Sequence, residues 1–233
     1  MTRTVADITA MLTPHGLILR GGFALEPARD ADLLQAWPGA RQLLLIGNAG
    51  SAIWPYLTDF IRDNPQADHP LDRWTREKVS HVAQQLGVID LYPFGGPPWW
   101  PFQRWAQRGE PVSPSPLGIL IHPVFGLWHA YRAALLLEQA IDLPVAAPAA
   151  SPCDSCEQRP CLSTCPVVAF TPQGYDVAGC AEHVISQRGM SCRTGSCLAR
   201  LACPVGESWR YEREHAAFHM AAFVDARRTT TKG

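Results

Sequence analysis

Cysteine is absent from the first 152 residues of this 233-residue chain. The eight cysteines all lie in one segment, Cys153–Pro204. Thiolates prefer soft metals, so clustered cysteines indicate zinc, an iron–sulfur cluster or disulfides. We therefore expect the cysteine segment to be built around a soft metal, and the preceding part of the chain to hold none.

Strong net charge and long apolar runs are also missing. The formal net charge is −1, and charged residues make up 18% of the chain. This balance gives no electrostatic reason to expect nucleic acid or an anionic membrane surface as a partner. No apolar run approaches the roughly 20 residues of a membrane span, and the opening residues MTRTVADITAML lack a basic-then-apolar signal region. We therefore expect a globular, cytoplasmic protein.

The cysteine segment has the features of an iron–sulfur site. Its first run reads CDSCEQRPCLSTCP and its last reads CRTGSCLARLACP. Cys165 and Cys203 are each followed by proline, as in the cysteine run of bacterial two-cluster ferredoxins. Eight thiolates are also the number that two [4Fe–4S] clusters require. We predict that the clusters are bound by Cys153, Cys156, Cys161, Cys165, Cys180, Cys192, Cys197 and Cys203.

The division of these ligands between two clusters follows from the ferredoxin pattern, in which the proline-linked cysteines exchange between clusters. The pattern assigns the first set, Cys153, Cys156, Cys161 and Cys203, to one cluster. It assigns the second set, Cys165, Cys180, Cys192 and Cys197, to the other. Several gaps are longer than usual, so sequential ligation is the alternative partition.

Zinc binding and disulfide formation are the alternative interpretations of these cysteines. A zinc knuckle more often shows two C-x2-C pairs, whereas only Cys153 and Cys156 have that spacing here. Disulfides need an oxidising compartment, which the predicted location does not supply. Arg188, Arg193 and Arg200 lie among the predicted ligands, where positive charge near the sulfurs would raise the reduction potential.

The part of the chain before the cysteines alternates apolar strands with amphipathic helices. A strand that runs into the glycine-rich turn Gly47–Ser51 and then a helix forms a βα unit. Strands are predicted at Leu17–Leu19, Leu43–Ile46, Val88–Leu91 and Leu117–Ile121. Helices are predicted at Thr75–Leu86, with Gly87 ending it, and at Leu127–Ala140.

Two further stretches carry aromatic or imidazole side chains. Tyr92–Trp105 (YPFGGPPWWPFQRW) is too rich in proline and glycine for regular structure, and its rings pack either on the core or against a planar cofactor. Glu207–Phe223 predicts an amphipathic helix, followed by a frayed tail at Asp225–Gly233. His215 and His219 have metal-ligand spacing, but without a third ligand we favour packing.

The segment Ile121–Leu137 (IHPVFGLWHAYRAALLL) resembles the cobalamin-processing CblC family, which carries a similar I-H-P-x-x-G-x-W-x-A-x-R segment in its nitroreductase-like core. His69–Val79 (HPLDRWTREKV) is similar in kind to an upstream segment of that family. The cysteine segment resembles the iron–sulfur portion of epoxyqueuosine reductase and, more distantly, that of reductive dehalogenases. Those enzymes join a CblC-like domain to two [4Fe–4S] clusters. The resemblance implies a base-off corrinoid between two domains, reduced by the nearer cluster.

These observations predict an α+β fold. A CblC/nitroreductase-like layered domain would span residues 1–143, an Ala/Pro-rich linker residues 144–152, and a ferredoxin-like iron–sulfur module with a C-terminal helix residues 153–233. The proposed pocket for a planar cofactor combines flat rings with a fixed cation. Its predicted residues are His122, Trp128, Arg132, Trp99 and Trp100.

Two classes of function follow from the sequence. The first is an iron–sulfur oxidoreductase that passes electrons to a corrinoid or a similar planar cofactor. The second is a ferredoxin-type electron carrier, whose N-terminal domain only docks an electron-donor or electron-acceptor protein. A zinc-stabilised interaction protein is a third alternative.

Overall fold

The computed structural model describes residues 4–144 and 149–230. Its strands in chain order are β1 (Ile18–Ala24), β2 (Gln42–Ala49), β3 (Ile89–Leu91), β4 (Ser113–Pro114), β5 (Leu120–Ile121), β6 (His129–Leu137), β7 (Phe170–Thr171) and β8 (Gly174–Tyr175). Its α-helices are α1 (Val5–Leu12), α2 (Ala31–Ala36), α3 (Trp54–Asp63), α4 (Pro70–Leu86), α5 (Phe102–Gly109), α6 (Pro160–Ser163), α7 (Val177–Ile185), α8 (Met190–Thr194), α9 (Leu198–Leu201) and α10 (Arg213–Thr230). Mixed helix and sheet agree with the predicted α+β class.

The chain divides into two compact units. The first contains Met1–Pro111 and Ala130–Pro148, and the second contains Val112–His129 and Ala149–Gly233. The division differs from the predicted boundary after residue 143, because Val112–His129 belongs with the cysteine segment. Residues 145–148 of the predicted linker lie outside the described residues. In the described part of the chain, none of the helices combines the length and the apolar character of a membrane span.

A four-stranded sheet in the order β1-β2-β6-β3 forms the centre of the first unit. Strand β1 pairs antiparallel with β2, and β3 pairs antiparallel with β6. Every residue of β2 is buried, because this inner strand is covered on both faces. The predicted strand Leu43–Ile46 is confirmed as part of β2, and the predicted helix that follows the glycine-rich turn is confirmed as α3.

The prediction of a helix at Leu127–Ala140 is wrong, because most of this segment forms the inner strand β6. Its residues Ala133–Leu137 are all buried, and Ala133 and Leu135 have no exposed surface. A strand covered on both faces shows no alternation of apolar and polar residues. Its sequence therefore looks the same as that of a buried helix.

Other predicted elements differ mainly at their ends. Helix α4 begins at Pro70, five residues before the predicted start, since proline suits the first turn of a helix. Gly87 ends α4 with φ of 58°, a left-handed conformation that favours glycine. Only Leu120–Ile121 of the predicted strand at 117–121 is extended and paired. The predicted frayed tail is wrong for residues 225–230, which continue α10, and residues 231–233 lie outside the described part.

A buried ion pair joins β1 to the end of α5. Arg20 is 1% exposed, and its guanidinium donates two hydrogen bonds to the Glu110 carboxylate, at 2.7 and 2.6 Å. The Tyr131 hydroxyl donates to the same carboxylate at 2.6 Å. Burial raises the pKa of Tyr131, so the phenol stays protonated as a donor. Three separate segments of the first unit are thus fixed to one carboxylate.

We predict that Glu110→Ala lowers the free energy of unfolding by about 3–5 kcal/mol, because it leaves the buried Arg20 guanidinium without its partner. The measurement is urea unfolding of the purified protein. Glu77→Ala is the matched control, since Glu77 and Lys78 form an ion pair at the surface, and its loss should stay below about 1 kcal/mol. Equal losses for the two variants would contradict the structural role of Arg20 and Glu110.

Candidate metal centre

Short helices of the second unit carry the cysteines. Helix α6 packs against α9, while α7, α8 and α10 pack against one another. Cys161 lies on α6 and Cys165 follows it, whereas Cys197 immediately precedes α9 and Cys203 follows it. Cys180 and Cys192 lie on α7 and α8.

The first set of cysteines surrounds a small cavity of about 20 Å³, here called the first cysteine cavity. Prolines on either side of the cysteines also line it, and the thiols themselves are partly buried. Burial raises the pKa of Cys153, and the neighbouring thiols Cys203, Cys161 and Cys156 raise it further. Burial likewise raises the pKa of Cys203, with Cys156 among the contributing neighbours. All four thiols of the first set line this one cavity.

The second set surrounds a larger cavity of about 280 Å³, here called the second cysteine cavity. Burial raises the pKa of Cys180, and the nearby thiols Cys165 and Cys192 add to the effect. Burial also raises the pKa of Cys197, to which Cys180 and Cys192 contribute. The second cavity thus contains four mutually interacting thiols.

The cysteines therefore lie in two groups of four, with the same membership as the two sets in the ferredoxin pattern. Cys161 lies on α6 and shares the first cavity with Cys203, which follows the end of α9. Cys165 follows the end of α6 and shares the second cavity with Cys197, which precedes the start of α9. Two short helices that run in opposite directions produce this exchange. Ligation of a metal by either group remains a prediction.

The residue types in the two groups bear on which metal they could bind. All eight cysteines are free thiols. Zinc binds thiolates at about 2.3 Å in a tetrahedron, which places the sulfurs only about 3.8 Å apart. Within residues 4–144 and 149–230, no three His, Cys, Asp or Glu side chains are grouped closely enough to hold one metal ion. Four cysteine thiolates are the donor set of a [4Fe–4S] cluster, and each cavity is lined by four cysteines.

Additional donors face the sulfurs of the second cavity. The Tyr175 side chain lies beside the Cys180 thiol and lowers its pKa against the effect of burial. The Ala169 backbone N–H donates to the Cys165 sulfur at 3.4 Å. Just before it, Val168 has φ of 50°, a strained conformation for a β-branched residue, and this turn directs the N–H toward the sulfur.

His183 lines the second cavity as well. Its Nε2 atom is buried and has no hydrogen-bond partner in the part of the chain that the structure describes. Buried polar groups in folded proteins are nearly always paired, so an unpaired one needs an explanation. The nearest chemical explanation is an acceptor that occupies the cavity itself. Neither Tyr175 nor His183 belongs to a sequence motif, so sequence analysis does not point to either residue.

The residues predicted for a planar-cofactor pocket divide between the two units. Trp99, Trp100 and Arg132 belong to the first unit, whereas His122 and Trp128 belong to the second. Trp128 has no exposed surface, and its ring packs against the Arg200 guanidinium at 4.3 Å and Tyr211 at 5.5 Å. Trp128 is thus a core residue of its own unit. It does not share a helix face with Arg132, because the predicted helix is replaced by the strand β6.

His122 organises its own loop. Its Nδ1 atom accepts hydrogen bonds from the backbone N–H groups of Val124 and Phe125, at 3.0 and 3.2 Å. Its ring stacks on Phe125 with the centroids 4.4 Å apart. Gly126 closes the turn with φ of 56°, where a side chain would collide with the Val205 carbonyl. These contacts explain the His-Pro-x-x-Gly spacing through local structure.

The three predicted pocket residues in the first unit differ in their contacts and in their exposure to solvent. Arg132 lies on β6, and its Nε donates to the Asn48 side-chain oxygen at 3.0 Å. Burial raises the pKa of Asp72, and the charge of Arg132 opposes that shift, so the two charges lie near each other. Trp99 is 69% exposed, whereas Trp100 stacks on Trp105 with centroids 5.9 Å apart.

His215 and His219 form a pair on α10. Their Nε2 atoms are 3.2 Å apart, and the Tyr211 ring stacks on His215 at 4.3 Å. His215 has no exposed surface. Among the described residues, no third His, Cys, Asp or Glu completes a metal site with them. The stacking of His215 on Tyr211 is a packing contact.

Comparison with solved structures identifies proteins of similar fold. The chain is similar to epoxyqueuosine reductase crystallised with a tRNA-Tyr epoxyqueuosine-modified stem loop, with a TM-score of 0.51, 15% identity, and coverage of 89% of this chain and 65% of that one. It is similar to epoxyqueuosine reductase from Streptococcus thermophilus, with a TM-score of 0.53, 13% identity, and coverage of 89% and 67%. It is also similar to the C. elegans B12-trafficking protein CblC, with a TM-score of 0.53, 12% identity, and coverage of 93% and 90%.

The chain therefore spans about two thirds of the epoxyqueuosine reductases and most of CblC. Both proteins that the sequence segments resemble are among the structural neighbours, which confirms the predicted resemblance at the level of the fold. No family model matches the sequence. No curated protein matches it either.

We predict that Cys203→Ser disrupts the cluster of the first set, although Cys203 lies only six residues after Cys197. The first cavity loses a ligand, whereas the second keeps all four. Anaerobic reconstitution followed by EPR of the reduced protein measures which cluster signal is lost.

Cys180→Ser is the matched variant, because it removes one ligand from the second set only. The two variants should lose different EPR signals. If both lose the signal that depends on Cys192 and Cys197, ligation is sequential and the exchanged partition is wrong.

Proposed function

We propose that the protein is an iron–sulfur oxidoreductase with two [4Fe–4S] clusters, which pass electrons to a corrinoid or a similar planar cofactor. The observation that supports this proposal most strongly is the grouping of eight free thiols around two cavities, with four thiols at each cavity. The first set would bind one cluster and the second set the other. Each cluster, when bound, supplies one-electron transfer chemistry.

The protein's own residues determine the surroundings of each cluster. Prolines and Ile121 give the first cavity an apolar lining around its cysteines. The second cavity adds donors to sulfur, from Tyr175 and the Ala169 N–H. Hydrogen bonds and burial around the sulfurs are the means by which a protein adjusts the potential of a cluster.

The corrinoid part of the proposal draws on the likeness to epoxyqueuosine reductase and to the B12-trafficking protein CblC. Of the predicted pocket, Trp128 does not fit, because it is buried in the core of its unit. Trp99 and Trp100 line a cavity of the first unit whose lining does not include Arg132, and His122 Nδ1 is engaged in its own loop. We therefore limit the corrinoid proposal to Arg132, which supplies a cation for the anionic substituents of a corrinoid.

The electron-carrier alternative is supported less well. A ferredoxin-type carrier needs only the cysteine unit, whereas the fold likeness extends over 89–93% of this chain and includes the layered first unit. A redox protein that donates electrons to the clusters is the expected partner in either case. The formal net charge of −1 still gives no reason to propose nucleic acid as a partner, although one neighbouring structure contains a tRNA stem loop.

We predict that cob(II)alamin binds to the anaerobically purified protein and shows a base-off spectral shift. Arg132→Gln should weaken binding about tenfold or more, because glutamine keeps a donor for Asn48 but removes the positive charge. A visible-absorption titration measures the affinity. Arg62→Gln is the control, as Arg62 is a surface residue in the same unit.

Absence of a shift at tens of micromolar cob(II)alamin, which corresponds to a binding free energy weaker than about 6 kcal/mol, would contradict the corrinoid proposal. The carrier function would then be favoured. The clusters are tested separately, since their signals do not depend on cobalamin.

We predict that His183→Leu lowers the reduction potential of the second cluster. His183 lines the second cavity, and its buried Nε2 atom has no partner among the described residues, so we propose that it donates to a cluster sulfur. Such donors stabilise the more negative reduced cluster. We expect at least a tenfold change in the one-electron reduction equilibrium, or about 59 mV. An EPR-monitored potentiometric titration measures both clusters at once.

His183→Gln should restore most of the potential, because glutamine also carries an N–H donor. The cluster of the first set serves as the internal control and should keep its potential in both variants. Eight irons per chain with unchanged potentials in His183→Leu would refute the role of His183 while leaving the two-cluster proposal intact.

A further inference from the structure

The first unit contains an open cavity of about 760 Å³, here called the tryptophan groove. Helix α2 and Trp37 form one side, and the Pro98–Pro101 loop with helix α5 forms the other. Its volume lies within the range of about 300–1,000 Å³ that is typical of small-molecule sites. The groove contains no cysteine, so it is separate from the cysteine cavities in composition and chemistry.

Tryptophan rings form the apolar surface of the groove. Trp105 is 4% exposed and anchors a stack in which its centroid lies 5.9 Å from that of Trp100. Trp100 in turn lies 5.9 Å from Trp37 across the groove. These contacts hold the neighbouring loop in place. Trp99 is 69% exposed, and no ring contact is present for it in the described part of the chain. It thus offers a free aromatic face.

Arginines supply the charge of the groove. Arg108 donates to Asp30 at 2.7 Å, and its guanidinium lies 3.8 Å from the centroid of the Phe23 ring, so its position is fixed and its charge is balanced. Arg104 lies on α5 in the groove wall and is exposed. Within residues 4–144 and 149–230, no hydrogen bond or ion pair engages it. Arg104 and Trp99 therefore line the same groove, and among the described residues neither the cation nor the indole ring has a partner.

We propose that the tryptophan groove binds a planar aromatic ligand that carries an anionic group, of about the size of a mononucleotide. The ring of the ligand stacks on Trp99, since aromatic faces attract one another in offset or tilted arrangements. The anionic group pairs with Arg104, whose planar guanidinium matches carboxylate and phosphate oxygens. Three arginines and two aspartates line the groove, and Arg108 is paired with Asp30, so Arg104 is the cation that we assign to the anionic group of the ligand.

Isothermal titration calorimetry on the full-length, anaerobically purified protein tests this proposal. The probes are adenosine 5′-monophosphate and indole-3-acetate, which are planar anions, with adenosine and inorganic phosphate as partial ligands. We expect both planar anions to bind with a Kd below about 1 mM, a binding free energy of about 4 kcal/mol. Adenosine and phosphate should each bind at least tenfold more weakly.

Substitutions separate the two contacts. Trp99→Ala should weaken both planar anions at least tenfold, and Trp99→Phe should restore most of the affinity because phenylalanine keeps an aromatic face. Arg104→Gln should remove the difference between adenosine 5′-monophosphate and adenosine. Tyr56→Ala and Arg62→Gln are the controls, since both residues lie at the surface of the same unit and away from the groove lining, and neither should change affinity.

Failure of both planar anions to bind the wild-type protein would overturn the proposal. Binding that survives Trp99→Ala and Arg104→Gln would place the ligand elsewhere and also overturn it. Competition by a proline-rich peptide, with no effect of the anionic group, would identify the groove as a peptide-docking surface and contradict it. These outcomes do not depend on the clusters, so they leave the proposed redox function untouched.

Discussion

Burial of cysteine thiols is the constraint on which the second unit depends. Helices α6, α8 and α9 contain only four, five and four residues, whereas isolated helices shorter than about 12 residues are marginal in water. Cys161, Cys192 and Cys203 are buried where a larger domain would place aliphatic core residues. Metal–thiolate bonds in these positions would supply the cross-links that the small core lacks. Cluster binding and folding of this unit are therefore coupled in our account.

The chemistry of the thiols supports this coupling. Burial raises the pKa of Cys153, Cys180 and Cys197, so without metal these side chains are neutral thiols at neutral pH. Cluster binding requires thiolates and therefore displaces protons. In the second cavity, Tyr175 and the Ala169 N–H offer donors to the resulting negative charge. The two cavities thus differ in polarity even though each holds four cysteines.

Sequence reasoning succeeded where one physical signal dominated. Leu43–Ile46 was recognisable as a strand because an apolar run ends at glycine. The partition of the cysteine ligands stays a prediction, and the two cavities are lined by the same two sets of four cysteines. Sequence reasoning failed for β6, since an inner strand made of alanine and leucine has the composition of a helix. That error also misplaced Trp128, which is buried beside Arg200 and Tyr211 in the second unit.

Other features have no local signature in the sequence. Arg20 and Glu110 are 90 residues apart in the chain, so their ion pair depends on how β1 and α5 meet in the folded unit. His183 is a lone histidine in the sequence, and only its buried, unpartnered nitrogen marks it as a residue of the second cavity. The grouping of Val112–His129 with the cysteine segment likewise depends on long-range packing.

We propose above all that the two groups of thiols bind two four-iron clusters. Iron and acid-labile sulfide analysis of anaerobically purified protein, with Mössbauer spectroscopy to identify the cluster type, tests it most directly. We predict about eight irons and eight sulfides per chain, all of them in [4Fe–4S] clusters. Four irons per chain would contradict the two-cluster assignment, and bound zinc without sulfide would contradict the iron–sulfur account altogether.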